Sequence, residues 1–194
     1  MEQLKLLKKI GSLLMLISII SCSSAQELDS EFVKEIENSK SNNELNIQNN
    51  NRFSEIPDLI FKLINLKSLS FSGSECDVKP CKNIRKLPSK IENLKNLNHL
   101  SLVMNGLKSL PVEINSLHLK SLDLSNNYDI DISNLLIPTL EILNLNDCNL
   151  KGLPDNIFKM VNLKVIGIEG NTEISQAEIS VLKQKLPNCV IYSN

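Results

Sequence analysis

The stretch "LNHLSLVMNGLKSLPVEINSL", Leu97–Leu117, constrains the fold most, because the chain writes it more than once. It reads L-x-x-L-x-L-x-x-N-x-L-x-x-L-P-x-x-I-x-x-L. Leu140–Met160 follows the same pattern, with Cys148 in place of the Asn and Met160 in place of the last Leu. Further copies open at Leu66–Ser74, Leu119–Asn127 and Leu163–Asn171, and a degenerate one at Glu44–Asn50. The middle positions are Leu45, Leu69, Leu100, Leu122, Leu143 and Ile166, spaced 24, 31, 22, 21 and 23 residues apart. An amphipathic helical bundle needs a 3.6-residue period and does not tolerate a Pro in nearly every unit. Self-similarity at this period is the mark of a stacked array.

The pattern has a direct physical reading. In "LSL" or "LDL", alternate side chains point to opposite faces, so a short strand buries two leucines and shows the residue between them. Each unit adds one parallel strand. The Asn at the ninth position turns the chain off the strand, and its amide can satisfy backbone groups in the stacked turns. That column holds Asn50, Ser74, Asn105, Asn127, Cys148 and Asn171. Leu-Pro then starts a return path whose Ile and Leu point back inward. In "NNYDIDISNLLIPTL", Leu-Pro is missing and Ile132 and Leu135 turn in, so this arc is expected to be tighter and less helical. No unit can bury its apolar side alone, so stability comes from neighbours.

These residues resemble the leucine-rich repeat family in its short bacterial type with Leu-Pro-x-x-Ile, over roughly residues 44–192. The resemblance implies an α/β solenoid, right-handed and curved, with one short parallel strand per repeat, about six repeats and terminal caps. It also implies a non-catalytic module that binds a protein or glycan through the concave strand face and adjacent rim. From the register, the outward positions that become binding candidates are His99, Ser101, Val103, Met104, Ser121, Asp123, Ser125, Ile142, Asn144, Asn146, Val165 and Glu169. The face is small and polar, with no Trp, Tyr or Arg, the residues that dominate interface energy.

Composition narrows the function classes. With 194 residues, 42% hydrophobic and 22% charged, the chain can build one core. Aromatics are only 4%, so that core must rest on Leu and Ile. A net charge of -1 is no footprint for nucleic acid. The sequence holds no Gly-rich phosphate loop, no Gly-x-Ser-x-Gly and no His-Glu-x-x-His, and His99 and His118 are its only histidines. The expectation is a monomer that is not an enzyme, without cofactor, catalytic residues or metal.

The ends carry other signals. Lys5, Lys8 and Lys9 precede an apolar run, Ile10–Ile20, too short to span a bilayer and laid out like an export signal. "SIISCSSA" resembles a bacterial lipobox, which implies cleavage before Cys22 and a lipid anchor on it. Removing residues 1–21 takes those lysines and Glu2 away and moves the net charge from -1 to -3. Ser23-Ser24-Ala25 leaves ordinary cleavage before Gln26 as the alternative, giving a secreted or periplasmic protein rather than a cell-envelope lipoprotein. The organisation expected is a signal peptide (1–21), a tether with an N-terminal capping helix (22–43) and the repeat domain with its C-terminal cap (44–194).

The capping helix is expected over Glu27–Glu37, with Leu28, Phe32, Val33 and Ile36 on one side and Asn38–Asn43 as a loop. Ser175-Gln176-Ala177-Glu178 is a capping box that opens a closing helix with Ile179, Leu182 and Leu186 inward. A last strand, "PNCVIY", turns in either Val190 and Tyr192 or Cys189 and Ile191. The widest spacing, 31 residues, houses a rim insertion of about eight residues with Cys76 and Cys81. An oxidising compartment favours a disulfide between them over zinc, and its small ring would contribute roughly 2 kcal/mol. Cys148 and Cys189 are expected to be buried thiols.

Overall fold

The computed structural model of the chain describes residues 30–74 and 82–194. Two compact units divide it, Met1–Val33 and Lys34–Asn194. Of the first, the described part is residues 30–33, the opening turn of helix α1, Ser30–Asn42. The second holds all the strands of the described residues.

Helix α1 runs past the predicted end at Glu37 and through the segment read as a loop. The Ser and Asn residues there do not break it, because their side chains bond back to the helix. Ser39 Oγ donates to Ile36 O at 2.7 Å and Ser41 Oγ to Asn38 O at 2.7 Å. The stop comes at Asn43, whose φ of 61° is left-handed and whose N–H donates to Ser39 O at 2.9 Å. Phe32, Ile36 and Ser39 are buried along the helix, while Val33 is half-buried. Leu28 lies outside the described residues.

Seven strands follow in one parallel sheet, ordered as they occur in the chain. They are β1 (Glu44–Gln48), β2 (Ser68–Ser72), β3 (His99–Ser101), β4 (Ser121–Asp123), β5 (Ile142–Asn144), β6 (Val165–Gly167) and β7 (Val190–Tyr192). The register aligns Leu45, Leu69, Leu100, Leu122, Leu143, Ile166 and Ile191 across all seven, as the leucine spacing requires for the first six. The next inward row is Ile47, Phe71, Leu102, Leu124, Leu145 and Ile168, all buried.

The outer arcs complete the core. Pro88 and Pro111, extended at φ -66° and -69°, precede single 3₁₀ turns at Ser89–Asn93 and Val112–Ser116, which bury Ile91 and Ile114. Shorter turns, Ile60–Lys62 and Ile157–Lys159, do the same in the first and fifth arcs. The fourth arc has no helical turn, and Ile132 and Leu135 fill its core at 3% and 1% exposure. The tighter arc expected where Leu-Pro is missing is what forms.

An asparagine ladder stitches the turns. Asn127 Oδ1 accepts from Leu107 N at 3.1 Å, and its Nδ2 donates to Leu102 O at 2.9 Å and Leu124 O at 2.8 Å. Asn105 and Asn171 repeat this geometry one turn earlier and two turns later. Each side chain thus satisfies groups of its own turn and of the turn before it. Among the described residues every buried side-chain nitrogen or oxygen has a partner.

The ladder departs from a simple column of asparagines at three places. In the first repeat the buried member is Asn49 and not Asn50; its amide closes a ring with Phe53 through bonds of 2.6 and 2.7 Å and reaches Lys82 O at 2.7 Å. Asn50 and Asn51 are the left-handed turn residues, with φ of 41° and 64°. In the second repeat Asn83 bonds Ser74 reciprocally, accepting from Ser74 N at 3.1 Å and donating to Ser74 O at 2.9 Å. In the fifth, the Cys148 thiol sits 3.2 Å from Leu124 O. The insertion's stem is therefore pinned, while Cys76 and Cys81 lie outside the described residues. The closing helix α2, Gln176–Lys185, carries both halves of the capping box and buries Ile179 and Leu182.

Candidate binding face

Strand parity decides which side chains leave the core. The outward residues form columns across the strands, with neighbours about 4.8 Å apart. The first column runs Ser68, His99, Ser121, Ile142, Val165 and Val190, and the second Ser70, Ser101, Asp123, Asn144, Gly167 and Tyr192. His99 is exposed, and Ser101, Ser121, Asp123, Asn144 and Val165 are half-buried. Ile142 is 45% exposed. Val103, Met104 and Asn146 lie half-buried at the strand ends, and Glu169 is exposed. The structure thus sets most of the predicted candidates side by side on one sheet face.

Ser125 is the exception. It is 6% exposed, because its N–H and Oγ both turn onto Asp123 Oδ1, at 2.9 and 2.7 Å. Its alternation places it outward, but the turn folds it back. The same carboxylate accepts from Asn144 Nδ2 at 3.2 Å through Oδ2. Asn144 Oδ1 accepts from Asn146 N at 3.1 Å, and Asn146 Oδ1 from Glu169 N at 2.9 Å. Gly167 is buried beneath this row. A Cβ there would meet Asn146 Oδ1 at 2.8 Å and Asn144 Oδ1 at 2.9 Å, so the row needs a glycine.

A charged row borders the first column. Glu141 takes Lys120 Nζ at 2.7 Å on one oxygen and Lys164 Nζ at 2.6 Å on the other. These two bonds, Lys120 first, hold its pKa down at about 2.

Strand β7 contributes what sequence reasoning left undecided. "VIY" has no polar residue to fix its parity, so both faces remained open. Pairing Ile191 with Ile166 turns Val190 and Tyr192 outward, 52% and 53% exposed. The face therefore does carry a Tyr, contrary to the sequence reading, and an apolar stripe of Ile142, Val165 and Val190 beside it. The stripe lies at the C-terminal half of the sheet.

His99 and His118 are on a strand and at the end of an arc, respectively. Among the described residues no group of three or more His, Cys, Asp or Glu is placed to hold a metal ion, and no helix is long and apolar enough to cross a membrane. Burial pushes the Cys148 thiol up to about 11. Cys189 is half-buried and not fully buried as expected, and its thiol is also raised by burial.

No family model matches the chain. A leucine-rich repeat protein of Leptospira interrogans matches in structure with a TM-score of 0.64 and 31% identity, over 76% of this chain and 36% of that one. The leucine-rich repeat ectodomain of the receptor kinase SOBIR1 of Arabidopsis thaliana gives 0.48 at 25% identity, over 68% and 71%. In sequence, a probable inactive serine/threonine-protein kinase of Dictyostelium discoideum, roco10, is 32% identical over 129 residues, 62% of this chain and 4% of that protein. The chain thus spans a small part of the Dictyostelium protein and about a third of the Leptospira one. One strand per repeat, an asparagine ladder and the likeness to the Leptospira protein together identify the fold as a leucine-rich repeat solenoid of the α/β class.

Proposed function

We propose that the chain is a non-catalytic binding module, and that a protein partner docks on the outward face of β3–β7. The carrying observation is the stripe of Ile142, Val165 and Val190 with Tyr192 beside it. Single exposed apolar residues are ordinary, but here three occupy consecutive places in one column. Tyr is among the side chains that anchor interfaces, and the amide row and the Lys120–Glu141–Lys164 row supply a polar rim. A glycan is the alternative partner, favoured by the amides of Asn144 and Asn146 near an exposed Tyr.

The test is quantitative co-isolation from the native cells. Ile142→Asp and Tyr192→Ala should each deplete the same partner, while Val112→Asp and Val161→Asp, on the outer arcs, should leave it bound. Equal recovery with all four variants would remove the face from the account. A spacer role without a specific ligand is the second reading. It is favoured by the way Asp123, Ser125, Asn144 and Asn146 satisfy one another.

We further propose that the protein is exported and anchored in a bacterial cell envelope by lipid on Cys22, with Cys76 and Cys81 bonded as a clip on the rim insertion. The lipobox-like residues before Cys22 support the first part and the oxidising destination the second. Intact mass of the membrane-extracted protein reads both. A chain beginning at Cys22 and carrying acyl mass is expected; a chain beginning at Gln26 without it would mean free secretion.

A further inference from the structure

A second surface feature arises away from the sheet face, where two neighbouring arcs disagree in length. In the third and fifth arcs the inward residue follows the ladder position by two: Leu107 after Asn105, Leu150 after Cys148. In the fourth it follows by three, Ile130 after Asn127. The extra residue is absorbed at Asp129, whose φ is 61° and whose N–H donates to Cys148 O at 2.8 Å. Its carboxylate is thereby turned outward. The fourth arc then lacks Leu-Pro and a 3₁₀ turn, whereas the fifth has Leu153-Pro154 and the turn at Ile157–Lys159.

The mismatch opens a groove of about 430 Å³ between residues 129–133 and 149–154. This size falls within the range of small-ligand sites. Its floor is aliphatic, from Ile130, Ile132, Leu150 and Leu153, and Asp129 and Asp131 stand at its edge. The basic residues nearby are engaged. Lys108 lies 3.4 Å from Asp129, which also accepts from Asn149 at 2.6 Å, and Lys151 reaches Glu173 at 2.5 Å. Asp131 differs: its Oδ1 accepts from Ser133 N at 2.8 Å, and among the described residues no cation pairs with it. The Ser133 bonds hold its carboxyl below the ordinary range, so it is anionic at neutral pH.

We infer that this groove receives an arginine or lysine side chain of a partner polypeptide, its aliphatic stem on the Ile130–Leu150–Leu153 floor and its cationic head on Asp131. Both side chains bury an apolar stem while keeping the charge at the surface. A guanidinium is the better fit, being planar and weakly hydrated. The inference stands apart from the sheet-face reading and does not depend on it.

The test is an amide NMR titration of the whole protein with Nα-acetyl-arginine amide, against the neutral isostere Nα-acetyl-citrulline amide. Saturable shifts confined to residues 129–133 and 149–153 are expected with arginine and none with citrulline. Asp131→Asn should weaken the arginine response by roughly fivefold, the scale of an exposed ion pair. Unsaturated shifts spread over every acidic surface, equal responses to both probes, or an unchanged Asp131→Asn titration would each overturn the assignment. The comparison of the two probes on the unaltered chain needs no variant to fold.

Discussion

At the scale of single residues, the buried asparagines do more for the fold than their surface-like chemistry suggests. Asn171 Oδ1 accepts from Cys148 N and Leu150 N, and its Nδ2 donates to Leu145 O and Ile168 O. Asn171→Ala would strand all four in a dry turn, and orphaned buried groups cost about 1–3 kcal/mol each before relaxation. Chemical denaturation should show a loss of about 3 kcal/mol. Asn49→Ala should be similarly costly, and Asn50→Ala should cost less, about 1 kcal/mol, the penalty of an alanine held in the left-handed region. The three consecutive asparagines 49–51 carry nothing in sequence that tells the inward one from its neighbours; the ring closed on Phe53 decides it. Ser125 escaped sequence reading for a related reason, since period-2 parity ignores a side chain drawn back by Asp123.

Glu141 makes a pH prediction at the same scale. Its carboxyl titrates near 4.5 when free of the fold and is held at about 2 by Lys120 and Lys164. The unfolded chain therefore binds the proton first. The contribution to stability is complete above pH about 4.5 and fades as pH falls toward about 2. Thermal unfolding followed across this window should show a shallower fall in Tm for Glu141→Gln than for the unaltered chain. The difference should shrink in high salt, because the pair is exposed. Identical slopes would mean that the three side chains are not joined in solution.

At the scale of elements, Leu spacing made six of the seven strands legible, because parity and stacking demand both leucines on one side. The seventh, Val190–Tyr192, was expected as a strand, but its apolar run left the parity open and with it the exposure of Tyr192. The end of α1 was misread because Ser39, Ser41 and Asn42 look like loop residues. In place, their polar groups bond back to Ile36 O and Asn38 O within the helix or to the next strand's first N–H. The capping box on α2 was legible, but not its second task. Glu178 Oε2 accepts from Ser175 N at 2.9 Å, and its Oε1 accepts from Leu153 N at 3.0 Å. Ser175→Ala should cost about 1 kcal/mol, as a lost cap does. Glu178→Ala should cost more and should raise hydrogen exchange at Leu153 as well as in α2; exchange confined to α2 would show that the tie to the fifth arc is not made.

For the whole molecule, the outstanding contrast is between a uniform interior and an uneven surface. Leucine and isoleucine repeat with little change from β1 to β6, and a repeat array of this kind gains its stability from neighbour on neighbour. What differs from copy to copy lies outside: the short fourth arc, the Gly167 row and the Ile142–Val165–Val190 stripe with Tyr192. The sequence pattern specifies the interior because burial leaves few residue types that fit. It does not specify the partner, because outward positions answer only to what docks there. The central claim is that a protein partner docks on this sheet face. A photo-crosslinking side chain placed singly at Ile142, Tyr192, Val112 and Val161 measures it in the native cells. The account predicts one discrete adduct from positions 142 and 192 and none from 112 and 161; adducts from the outer arcs with none from the face would contradict it.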